Sequence, residues 1–397
     1  MPGGPLMYHT PLGKNEDIIT SERFFDQDYW MDAFIEQQPL SISFYPGERP
    51  HCYDLLALEA LADEYRATGN RRYLDALLGG WQVYVDNNKH TGGAPAICET
   101  GGPYKIGYNN HYPPKSYYIS SGHTGELCGN VFWIWVNHRL MQLFPGEEKY
   151  VYEIEESLYN TIIPGRTAGG GTWDHNRLQG ERGDRSLNGG GCCEISSVNL
   201  VSSLPEYIYM TAASEIYVNL FIPSVFDSPL AKLRMETRFP QEGAARIIMD
   251  EVKGEGQFVI KLRIPGWAAG PVNVSVNGET FTGSPGAYLP LNRRWKAGDV
   301  IAFDLSPAWR LSLYTGFDQD ENNLSRYAIL YGPVLMALTG SFARDKTPRL
   351  AFDPSEFEQK LRRRSGLVFD IEGCGGYTLK PYFEVHEGVF NCCPIIE

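Results

Sequence analysis

The sequence predicts a mainly α region followed by an all-β region. Three observations carry this: apolar residues recur at steps of three and four up to about Leu204, β-branched runs dominate after Pro205, and Asn277-Gly278 is a hairpin signal between two such runs. With 397 residues the chain has length for two or three domains of roughly 150 residues, and for a core that needs no disulfide staples.

Leu55, Leu58, Ala62 and Tyr65 form one helical face. Thr68-Gly69-Asn70 then turns the chain, and Tyr73, Leu77 and Trp81 begin the next face, so a helical hairpin is expected. A third helix opens near Thr124 and passes through Val131 to Val136, a stretch apolar all round that must be buried on every side, with Trp133 and Trp135 as core residues. A fourth runs from about Glu147 to Ile162, with Glu147, Glu148 and Glu153 on its solvated face. Helix pairs of this size suit a helical toroid. The Tyr- and Gly-rich stretch from Lys89 to Gly122 is long enough for a functional loop. Beyond Pro205, Ile216 to Ile222, Phe258 to Ile264, Val272 to Val276 and Val300 to Leu305 read as strands of a β-sandwich. From about Ala343 a charged helix, Ser355 to Arg363, and further strands complete the chain. The expected domains are therefore 1–206, 207–342 and 343–397.

Acidic residues outnumber basic ones 48 to 35, for a net charge of −13, which argues against nucleic acid or an anionic membrane as partner. No run approaches the roughly 20 apolar residues of a membrane helix, and Met1 to His9 lacks a basic and then apolar leader, so a cytoplasmic protein is expected. The 24 Tyr, 19 Phe, 8 Trp and 42 Gly residues suit loop-rich clefts that stack flat neutral ligands such as sugars.

The eight cysteines stand at 52, 98, 128, 192, 193, 374, 392 and 393. Adjacent cysteines rarely bridge each other, so thiolate chemistry or metal binding is a better reading than a disulfide framework. Glu126-Leu127-Cys128 and Cys192-Cys193 each stand at a helix start, where free amides and the macrodipole favour anions. Together they offer a carboxylate and three sulfurs, a reasonable tetrahedral set for zinc. The alternative is two unrelated groups of buried cysteine. Cys392-Cys393 lies among strand-like residues and reads as structural.

These motifs resemble glycoside hydrolase family 127, the β-L-arabinofuranosidase family. The likeness rests on Glu126-Leu127-Cys128 before a Phe-Trp helix, Leu158-Tyr159-Asn160, Cys192-Cys193 leading to Tyr207-Ile208-Tyr209, and Ile216 to Leu220. In the β region Arg263-Ile264-Pro265-Gly266-Trp267-Ala268, Val276-Asn277-Gly278, Arg294-Trp295 with Gly298-Asp299, and Tyr331-Gly332-Pro333-Val334 follow in the same order. The resemblance implies an (α/α)6 barrel, here incomplete because only about 200 helical residues precede the sheets where six helix pairs need roughly 300. It implies Zn2+ held by Glu126, Cys128, Cys192 and Cys193, with Cys192 as nucleophile in a retaining hydrolysis. Glu99, after Thr91-Gly92-Gly93, is the implied acid/base, and Glu155 matches a family glutamate whose role the residues do not define. His51 and Tyr117 are candidates for binding a carbohydrate substrate, and apolar faces left uncovered by missing helices would promote association into a homo-oligomer. Two rival readings are a carbohydrate-binding or structural zinc protein of the same fold, and a hydrolase that works through carboxylates alone.

Overall fold

The computed structural model describes residues 27–38, 53–87, 89–93, 95, 125–166, 175–182, 191–314 and 325–397. Among these, six helices of nine or more residues lie in the first half: α1 (Gln27–Ile35), α2 (Tyr53–Thr68), α3 (Arg71–Asn87), α4 (Leu127–Leu143), α5 (Glu148–Ser157) and α6 (Cys192–Ser203). The α2–α3 hairpin is punctuated as its sequence requires. Gly69 takes φ +70° and its N–H donates to Tyr65 O, while Asn70 Oδ1 accepts from the Arg72 N–H at the start of α3. Leu55, Leu58, Ala62, Leu77 and Trp81 are buried on the facing surfaces. Gly79 lets α1 approach closely, since a Cβ there would stand 2.1 Å from Phe34 O. The apolar helix α4 lies at the centre, with Val131, Trp133, Ile134 and Val136 all inaccessible.

The second half is built from sheets. In a six-stranded antiparallel sheet the spatial order is 279–283, 272–276, 300–304, 244–252, 231–237, 224–227. A four-stranded sheet follows the order 287–294, 257–264, 215–218, 209–212, its middle pair running parallel. Alternate residues of both sheets, such as Leu233, Ile247, Val274, Ile301, Ile260 and Leu262, enter one apolar core that is continuous with the helices. At Asn277-Gly278 both residues take positive φ, the two-residue turn that matches strand twist. The strand expected over Ile216 to Ile222 is shorter, Glu215–Val218.

A third, eight-stranded sheet changes the expected domain plan. It holds residues 309–313, 327–331, 334–340, 361–365, 368–371, 377–381 and 388–391, and also Gln179–Arg182 from the helical half. The boundary expected at 343 therefore falls inside one sheet, because strand pairing across 40 residues leaves no local mark. The charged helix expected over Ser355 to Arg363 is corrected too. Only one α turn forms, Phe357–Lys360, and Leu361–Ser365 is a strand paired with Val368–Ile371. Its Glu356 and Lys360 pair at helical spacing, but tertiary pairing overrides that local preference beyond Lys360.

Candidate metal centre

Two helix starts converge on the site. Helix α4 begins at Leu127, directly after Glu126, and α6 begins at Cys192, directly after the extended Gly191. The carboxylate of Glu126 and the sulfurs of Cys128, Cys192 and Cys193 supply four donor atoms that all lie within 4.8 Å of one another. Cys128 Sγ is 3.4 Å from Cys193 Sγ, and the Ser196 hydroxyl, one turn along α6, stands 3.7 Å from Cys128 Sγ. Glu126, Cys128 and Cys193 are buried, whereas Cys192 is exposed.

Local backbone geometry fixes Glu126. Gly125–Glu126 pairs antiparallel with His175–Asn176, and Asn130, on the first turn of α4, donates to Glu126 O at 2.9 Å. The electrostatics favour a cation. The thiol of Cys128 is pushed far above its ordinary range, first by its hydrogen bond with Cys193, then by burial and the nearby charges of Cys193 and Glu126. A divalent ion would relieve that crowding of anions. Four ligands about 2.3 Å from such an ion at tetrahedral angles are about 3.8 Å apart, so the donor set and its spacing fit. Among the described residues this is the cluster of potential ligands suited to a metal.

The structure thus brings together Glu126, Cys128, Cys192 and Cys193. His51, Glu99 and Tyr117 lie outside the described residues. Cys392 and Cys393 are fully buried among the apolar residues beneath the third sheet and are not part of this cluster.

Two charged networks around α5 were not legible in the sequence. Glu148 and Glu153, expected on a solvated face, are buried. Arg263, inaccessible to solvent, donates to Glu148 Oε1 at 2.7–2.8 Å and to Glu155 Oε2 at 3.0 Å, and the Trp267 indole N–H also reaches Glu155. Burial raises Glu155, and Arg263 opposes the rise. In the second network, Lys89 bridges Glu153 at 2.7 Å and Glu156 at 2.9 Å, and the Trp133 indole donates to Glu153. These contacts hold the turn His90-Thr91-Gly92-Gly93. The ring of His90 is pushed down to about 3 by burial and Lys89, so its Nδ1 accepts from the Gly92 N–H. Beyond α5 the chain continues as a π turn, Leu158–Ile162. Its Asn160 donates to Gly92 O and Pro333 O and accepts from the Leu335 N–H, tying the turn to the third sheet. No local signal marks these roles, because every partner is distant in sequence.

A helical half thus gathers one glutamate and three cysteines that could hold a metal ion, and extensive β-sheets follow it. Residues 215–306 match the model of the β-L-arabinofuranosidase, GH127 middle domain. That match covers about a quarter of the chain. The chain is 22% identical over 295 residues to the non-reducing end β-L-arabinofuranosidase of Bifidobacterium longum subsp. longum, an alignment covering 68% of this chain and 42% of that enzyme. The chain thus spans less than half the length of that curated relative. A solved structure described as a glycoside hydrolase superposes with TM-score 0.75 at 19% identity, covering 99% of this chain and 74% of its own. A GH127 β-arabinofuranosidase gives 0.72 at 22% identity, covering 96% and 68%. A GH127 β-L-arabinofuranosidase from Geobacillus stearothermophilus T6 gives 0.65 at 18%, covering 89% and 63%. At these identities the superpositions establish the fold.

Proposed function

We propose that this protein is a zinc-dependent retaining glycoside hydrolase acting on β-L-arabinofuranosides or related glycosides. The observation that carries the reading is the convergence of Glu126, Cys128, Cys192 and Cys193 within 4.8 Å, with Cys192 alone exposed. The match to the GH127 middle-domain model and the names of the relatives support the substrate class. On this reading the helices are part of an (α/α)6-type barrel and the six- and four-stranded sheets are a β-sandwich behind it. The four residues would hold zinc, which when bound keeps the three thiols deprotonated at neutral pH.

Cys192 is then the nucleophile, since it faces solvent at the N-terminus of α6, where the helix dipole favours a thiolate. Its sulfur attacks the anomeric carbon as the glycosidic C–O bond breaks, and Glu99 gives a proton to the leaving oxygen. Glu99 next takes a proton from water, whose oxygen displaces the sulfur with overall retention. His51 and Tyr117 bind the sugar.

The test is release of nitrophenol from 4-nitrophenyl β-L-arabinofuranoside. Wild-type protein turns over, Cys192→Ser falls to background, and Glu99→Gln loses about 10²–10⁴-fold. Undiminished hydrolysis by Cys192→Ser contradicts the reading. Stoichiometric zinc without turnover on any glycoside would favour a binding or structural role, and activity insensitive to chelators and thiol reagents would favour carboxylate chemistry.

A further inference from the structure

The strand that pairs with Glu126 is itself unusually well anchored. It is two residues long, His175–Asn176, and pairs Gly125 with Asn176 and Glu126 with His175. So short a ladder has little stability of its own. The buried amide of Asn176 compensates. Its Nδ2 donates to Thr161 O at 2.7 Å, in the π turn, and its Oδ1 accepts from Arg182 Nη2 at 3.1 Å; the Tyr382 hydroxyl, which donates to Arg177 O at 2.6 Å, lies 3.3 Å from the same oxygen. Arg182 is buried as well. Its Nη1 donates to Pro164 O at 2.5 Å and Val385 O at 3.3 Å, and its guanidinium lies over the rings of Tyr382 and Phe390. Gln179–Arg182 continues into the third sheet by pairing with Gly388–Asn391, where Asn391 Nδ2 also donates to Gln179 Oε1. A path of hydrogen bonds therefore leads from the C-terminal sheet to the backbone of Glu126.

We propose that Asn176, held by Arg182 and Thr161, is a positioning residue for the metal ligand Glu126, and that the pairing of Gln179–Arg182 with Gly388–Asn391 anchors it. The inference rests on the metal reading of the Glu126 cluster. Buried groups that orient a ligand commonly contribute 10–100-fold in metal affinity, because a misplaced carboxylate must be reordered at each binding event.

The experiment measures metal affinity rather than turnover. Zinc is titrated into the apoprotein against a chromophoric chelator, and cobalt(II) is titrated in parallel to record its thiolate charge-transfer and ligand-field bands. Asn176→Ala and Arg182→Lys are compared with wild type and with Leu379→Ala, a buried substitution elsewhere in the third sheet that lowers stability without touching this path. The proposal expects zinc binding weakened by about 10–100-fold and altered cobalt bands in both network variants, with Leu379→Ala at wild-type affinity. Should Asn176→Ala not fold, Arg182→Lys decides, since it keeps the charge and removes the planar fork. Wild-type affinity and spectra in a folded network variant overturn the proposal, as does an equal loss in Leu379→Ala. A wild type that binds neither metal overturns the metal reading itself, and this inference with it.

Discussion

Burial moves the titration of a carboxylate where two helices share a charge. Glu59 on α2 pairs with Arg139 of α4 at 2.8 Å, and Asp63, one turn on, takes the same guanidinium at 3.0 Å. Desolvation pushes Glu59 up to about 8, Arg139 opposes this and Asp63 adds to it. Between pH 4.5 and 8 the folded state thus holds a proton that the unfolded chain has lost, so this residue's contribution to stability is full below 4.5 and declines as pH rises. Glu59→Gln removes the dependence. Chemical denaturation at pH 5 and pH 8 should show wild type losing stability relative to the variant, on the order of a few kcal/mol at most. An equal change in both proteins would contradict the assignment. Residues of this kind also mark where sequence reading reaches and where it stops. Glu126, Cys128, Cys192 and Cys193 were legible because each pair sits at a helix start within three residues. Glu148 and Glu153 were misread as solvated because their neutralising partners, Arg263 and Lys89, lie 115 and 64 residues away.

Helix α5 is the element that joins the two halves. One side of it takes Arg263 and Trp267 from the strand and turn of the four-stranded sheet, and the other takes Lys89 and Arg310. Its carboxylates tolerate burial only with those cations present. Arg263→Leu leaves Glu148 and Glu155 facing each other without a charge between them, and should cost about 3–5 kcal/mol, read as a lower denaturant midpoint. A loss below about 1 kcal/mol would show that the network contributes packing alone. The Arg263 to Ala268 motif was visible in the sequence; its reason was not, because a helix face reads the same whether water or an arginine covers it. The π turn after α5 is similar. Leu158-Tyr159-Asn160 stood out as a motif, yet only the fold shows Asn160 joining Gly92 to the third sheet. The stretch 355–363 is the reverse case, where charges at helical spacing suggested an element that strand pairing replaced.

Across the whole molecule, the order of an α region before a β region was readable from hydrophobic period alone, since a 3.6-residue repeat and strict alternation cannot be satisfied by the same element. Topology was not. The parallel pairing of Glu215–Val218 with Gln257–Ile264, and the entry of Gln179–Arg182 into the third sheet, depend on contacts over some 40 and 200 residues that leave no periodic trace. The second of these pairings places Gln179–Arg182 a few residues after the strand His175–Asn176 that pairs with Gly125–Glu126, so the surroundings of Glu126 draw on residues from both halves of the chain. The claim on which the account turns is that this assembled site holds zinc. Metal content by inductively coupled plasma mass spectrometry on purified wild type, Glu126→Ala and Cys192→Ala measures it directly. The account predicts near-stoichiometric zinc in the wild type and a marked fall in both variants. Folded wild-type protein that carries no zinc and takes none up on dialysis would contradict it.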